Sequence, residues 1–130
     1  MSIVPQELDW VSTRAACNIE QVFDELCLGI QKDIEAINHA KGVSEEDKFA
    51  ANMTNKTIVV AQSGRMPRIV VKIGIVGESI VVADAATVTQ WQAHVAVNDA
   101  GRCTLRLEDR TELEQWQFRQ KALQRLFFGD

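Results

Sequence analysis

Residues 90–108 read QWQAHVAVNDAGRCTLRLE, and the fold is best read outward from them. Trp91, Ala93, Val95 and Val97 alternate with Gln90, Gln92, His94 and Ala96, and beyond Asn98-Asp99-Ala100-Gly101 the pattern resumes. There Cys103, Leu105 and Leu107 alternate with Arg102, Thr104, Arg106 and Glu108. A period of two with one apolar row is the signature of a half-buried strand. A three-residue loop with Gly101 in the left-handed conformation pairs Val97 with Cys103 and Val95 with Leu105. Both apolar rows then share one face, so turn chemistry and hydrophobic pattern predict the same antiparallel hairpin.

Upstream, β-branched runs at 57–61, 68–75 and 80–83 predict three further strands, punctuated by Ser63-Gly64 with Pro67 and by Gly77. Ile58, Val60, Ile69, Val71, Ile73, Ile75, Ile80 and Val82 make one apolar face. The opposite face carries Val59, Ala61, Val70, Val76, Val81 and Ala83, interrupted mainly by Lys72 and Gly74. A sheet wetted on one side alternates apolar with polar, so this run predicts cover on both faces. Burying a valine is worth about 1.5–3 kcal/mol, which makes a bare second face costly. The C-terminal helix, a second copy of the chain and a foreign partner are all candidates for that cover.

Helices are expected at both ends. Over residues 12–39 Ala15, Ile19, Val22, Phe23, Leu26, Ile30, Ile34 and Ile37 recur at three- and four-residue steps, which predicts one long helix with Ser12 as N-cap and Gly42 as stop. Gly29 within the stripe marks a site of close packing. Residues 41–56 read as an acidic connector with a short helix begun at Ser44 and running through Phe49 and Ala50. At the other end Thr111-Glu112-Leu113-Glu114 fits a capping box, followed by a stripe of Leu113, Trp116, Leu123, Leu126 and Phe127. The expected fold is a single α+β domain over 1–130, with a long N-terminal helix, a five-stranded antiparallel meander and a C-terminal helix.

Composition narrows the function by exclusion. The 130 residues are 46% hydrophobic and 25% charged, ordinary values for one globular domain. No apolar stretch approaches the ~20 residues needed to span a bilayer, and the first residues lack a secretory pattern, so a cytoplasmic chain with no membrane association is expected. Cys17, Cys27 and Cys103 show no paired spacing. Cys17 and Cys27, about 15 Å apart on one predicted helix, are too distant to bond, and reduced thiols are expected.

The formal charge of −4 is uneven, with four basic and ten acidic residues in 1–55 against ten and eight in 56–130. A net acidic chain favours protein partners over nucleic acid. Arg65, Arg68 and Lys72, and Arg102, Arg106 and Arg110, form two basic groups that read as protective charges at sheet edges.

Catalytic chemistry finds little support. His94 and Cys103 sit on paired strands but on opposite faces, so they form no dyad. His39 reads as a helix-end residue, no metal spacing is present, and no glycine-rich loop joins strand to helix, so neither metal nor cofactor is expected. Trp91 and Trp116 read as core. The function expected is that of a non-catalytic protein-binding or adaptor domain, self-associating as a homodimer through the apolar sheet face. Val59, Val70, Val81, Trp10, Phe127 and Phe128 are its candidate interface residues. The alternative is a small-molecule carrier or enzyme whose pocket between sheet and long helix would use Asp84 and His94.

Overall fold

The computed structural model describes residues 9–42, 47–63 and 69–129. Helices α1 (Trp10–Ala16) and α2 (Ile19–Lys41) precede strands β1 (Phe49–Thr54), β2 (Thr57–Gln62), β3 (Val70–Val76), β4 (Ser79–Ala83), β5 (Thr89–Val97), β6 (Cys103–Leu107) and β7 (Glu112–Leu113). Helix α3 (Gln115–Phe128) ends the chain. All strands join one antiparallel sheet in sequential order, so every connection is local, as a meander requires.

The hairpin of residues 90–108 has the register expected, with Val97 opposite Cys103, Val95 opposite Leu105 and His94 opposite Arg106. Asn98 N–H bonds the Arg102 carbonyl at 2.9 Å, and Gly101 adopts φ 79°, which leaves a three-residue loop.

Three expectations need correction. The N-terminal helix is two helices, because Asn18 turns extended and its side chain accepts from Gln21 N–H to cap α2. Asp9, not Ser12, caps α1, accepting from the amide and hydroxyl of Ser12. The apolar stripe runs through Ala15 and Ile19 without a gap, so periodicity conceals a break made by one capping amide.

Among the described residues the strands number seven, not five. Phe49 and Ala50, expected at the end of a short helix, begin edge strand β1; Ser44 through Glu46 lie outside the described residues. One side chain explains the switch, since Asn38 of α2 donates to the Phe49 carbonyl and accepts from its N–H. Phe49 itself is buried and stacks edge-on against Phe127 at 5.0 Å. At the far edge Glu112 and Leu113 form β7 against Arg106 and Leu105. The capping box is therefore displaced to Glu114 and Gln117.

Lastly, the apolar stripe of α3 is as expected at Leu123, Leu126 and Phe127 but differs in the first turn. Phe118 is fully buried, while Trp116, expected in the core, is 53% exposed.

Both long helices pack on the face of Ile58, Val60, Val71, Ile73, Ile80 and Val82, and with Ala93 and Leu105 they enclose one core. Where α2 and α3 meet, Arg119 lies across Gly29 and pairs with Asp33 at 2.8 Å. A β-carbon at position 29 would overlap the guanidinium, so the glycine marks close packing, as the sequence suggests. Gly29→Ala is expected to leave stability within about 1 kcal/mol of wild type. The helix-propensity gain of about 1 kcal/mol offsets a partly exposed ion pair of similar or smaller worth. In that background the coupling energy between Asp33→Asn and Arg119→Gln should fall to zero in a double-mutant cycle. A coupling that survives would show that the guanidinium does not depend on the missing side chain.

Candidate docking surfaces

The second sheet face is not covered by α3. On it Val81 is 8% exposed and Val59 and Val70 are half-buried, while Val76 is 66% exposed. Strand β4 is buried along its whole length, and Lys72, opposite Ala83, stretches to Thr87 at 3.0 Å. Polar pairs flank this centre: Ser79 Oγ lies 3.3 Å from His94 Nδ1, and Gln92 donates to Glu108 at 2.6 Å. Ile69, expected on the first face, is exposed.

Asp84 and His94 do not share a pocket. Asp84 Oδ1 accepts from the amides of Ala86 and Val88, and Oδ2 accepts from Gln90, so it organises the β4–β5 turn as aspartate commonly does. His94 is exposed at the opposite end of β4, beside Ser79. Between sheet and helices stand core side chains, several of them wholly buried. Of the basic groups, Arg106 pairs with Glu112 at 2.8 Å, and Arg65 and Arg68 lie outside the described residues. Lys72 and Arg106 are thus engaged by neighbours.

The outer side of the helix layer presents a different surface. A groove of about 680 Å³ runs between α2 and α3. Its floor is Ile37, Leu123 and Phe127. Ala36 and Ala40 keep the α2 wall low, and Trp116, Gln120, Gln124 and Phe128 form the α3 wall. The last four follow one another at four-residue steps, so they stand in one row about 18 Å long.

Trp116 and Phe128, at the two ends, are 53% and 69% exposed. Each is held by its neighbours: Trp116 Nε1 donates to Glu114 at 2.7 Å, and Lys41 stands 5.7 Å from the Phe128 ring. Lys41 also donates to the Phe127 carbonyl, which ties the C-terminal end of α3 to that of α2.

The expected interface residues therefore scatter. Phe128 lines the groove and stands exposed. Phe127 forms part of its floor but is itself core, 6% exposed. Trp10 is exposed on α1, on a separate part of the fold, and Val59, Val70 and Val81 belong to the sheet face. Trp116, taken for core in the sequence, is the groove residue that sequence reasoning missed. The signal was its four-residue spacing to Gln120, Gln124 and Phe128, which places it out of phase with the buried Phe118, Ala122 and Leu126.

Two cysteines expected as thiols are joined: Cys17, at the C-terminal end of α1, forms a disulfide with Cys103 at the start of β6, with Cα atoms 5.5 Å apart. Cys27 is buried and free. Burial, followed by the nearby Asp24 charge, pushes its thiol up to about 11, which leaves it protonated and inert at neutral pH.

Among the described residues no group of three or more His, Cys, Asp or Glu side chains is placed to hold a metal ion, and no helix is long and apolar enough to cross a membrane. No family model matches the sequence, and neither a curated protein nor a solved structure is significantly similar to it.

Proposed function

We propose that this chain is a non-catalytic binding module that pairs with a second copy of itself through the α2–α3 groove. The observation that carries the reading is the row Trp116, Gln120, Gln124 and Phe128. A two-fold axis between Gln120 and Gln124 sets each copy's Trp116 against the other's Phe128. It also sets neutral amides, which both donate and accept, against one another. No like charges meet along this row, and aromatic residues at the ends of a groove are favoured interface anchors. The ion pair of Asp33 with Arg119 sits on the groove wall already neutralised.

Light scattering on a size-exclusion column at tens of micromolar tests this. The wild-type chain should elute as a dimer. The double variants Gln120→Glu/Gln124→Glu and Gln120→Lys/Gln124→Lys should each elute as monomers, because position 120 of one copy then meets position 124 of the other with the same charge. An equimolar mixture of the two should restore the dimer. A wild-type monomer, or charge variants that dimerise like wild type, would remove the proposal. Because Gln120 and Gln124 are exposed, the substitutions leave the core untouched.

Val76, exposed at the end of β3 on the same face as half-buried Val59 and Val70, favours a second reading, in which the copies pair through the sheet face. Under that reading Val76→Asp dissociates the dimer and Gln120→Glu/Gln124→Glu does not.

A further inference from the structure

We infer that the Cys17–Cys103 disulfide is a reversible redox clamp whose opening unravels α1 while the sheet and the two long helices stay folded. Helix α1 has seven residues and buries none of them. A helix this short does not persist in water without tertiary support. Its N-terminal cap, Asp9 to Ser12, is local and exposed, so the cap orders the turn without attaching it to the rest of the protein. Attachment comes from Cys17 at its C-terminal end, bonded to Cys103 on β6. Helix α2 starts afresh at its own Asn18 cap and buries a full apolar stripe, so it does not depend on α1.

Both cysteines are partly exposed. Cys17 lines a cleft with Arg14, Val95, Ala96 and Val97, and Cys103 lines a second with Arg102, Thr104 and Glu112. A dithiol reductant supplies the electrons. Its thiolate attacks one sulfur, the S–S bond breaks as a mixed disulfide forms, and the other cysteine leaves as a thiolate that takes up a proton. The reductant's second thiolate then displaces the remaining cysteine, which is protonated in turn, and closes its own disulfide. Cys17 and Cys103 are reduced by two electrons in all and the dithiol is oxidised by two. In a reducing compartment the segment carrying exposed Trp10 and Val11 is loose, and in an oxidising one it is docked. This holds whether or not the chain pairs with itself.

Hydrogen exchange on the full chain, with and without dithiothreitol, tests the clamp, and intact mass reports whether two hydrogens have been gained. After complete reduction the amides of α1 should exchange at least about tenfold faster and trypsin should cleave after Arg14 more readily. Exchange in α2 and β2–β5 should quicken with the loss of global stability but stay far below the rate of unstructured chain, which α1 should approach, and reoxidation should restore the original pattern. The double variant Cys17→Ser/Cys103→Ser should show the fast pattern with or without reductant. Unchanged α1 exchange after complete reduction would overturn the inference. So would exchange in α2 and β2–β5 that reaches the unprotected rate along with α1, or three titratable thiols in the aerobically purified, denatured protein.

Discussion

Substituting Phe118 by alanine is expected to lower the unfolding free energy by about 3–5 kcal/mol, the range for truncating a wholly buried phenylalanine. Phe118 is 0% exposed and meets Trp91 edge-on at 4.8 Å. That contact joins α3 to β5, so truncation loses an aromatic pair as well as the transferred area and leaves a cavity. Because Trp91 is itself half-buried under Lys121, 5.2 Å from its ring, the same variant should shift tryptophan emission toward longer wavelength. Trp116→Ala, two residues away but exposed, should change stability by less than about 1 kcal/mol. Guanidinium denaturation of the two variants provides the comparison. If Phe118→Ala costs no more than Trp116→Ala, α3 is not part of the core.

Removing the disulfide is expected to be the second large effect. Cys17 and Cys103 are separated by 86 residues, and closing a loop of that size in the unfolded chain is worth roughly 4–5 kcal/mol by chain entropy, with 2–5 kcal/mol the usual measured cost of losing a native bridge. Set against a total stability of about 5–15 kcal/mol, such a loss leaves the domain folded. Thermal unfolding of Cys17→Ser/Cys103→Ser should therefore begin roughly 10–15 °C below wild type and remain cooperative. Wild type melted in dithiothreitol should match the variant. A transition within about 2 °C of wild type would mean that the bridge does not constrain the unfolded chain. Loss of cooperativity would mean that it holds together more than α1.

These two residues also show how far sequence reasoning reaches. Phe118 is hidden in the sequence because Leu113 and Trp116 extend the stripe of Leu123, Leu126 and Phe127 equally well, and only the start of α3 at Gln115 decides which residue of its first turn faces the core. The apolar period places Cys17 on one helix with Cys27, which excludes a bridge between those two, and the spacing of the three cysteines gives no sign of the bridge to Cys103. The break at Asn18 hid in an unbroken apolar period. Strand β1 was obscured in the same way, for its pairing depends on Asn38, eleven residues earlier, holding both polar groups of the Phe49 backbone.

What the sequence determined by itself was local: the alternation of residues 90–108, the left-handed turn at Gly101, the close approach at Gly29, the stop at Gly42. Each is written in neighbouring residues, where period and backbone preference act without help from the rest of the chain. Only the tertiary structure decided which sheet face the helices cover, which cysteines meet, and that the exposed aromatic residues of α3 flank a groove. Hydrophobic burial has no direction. An apolar face requires cover, but the identity of what covers it is settled when the distant parts of the chain pack together.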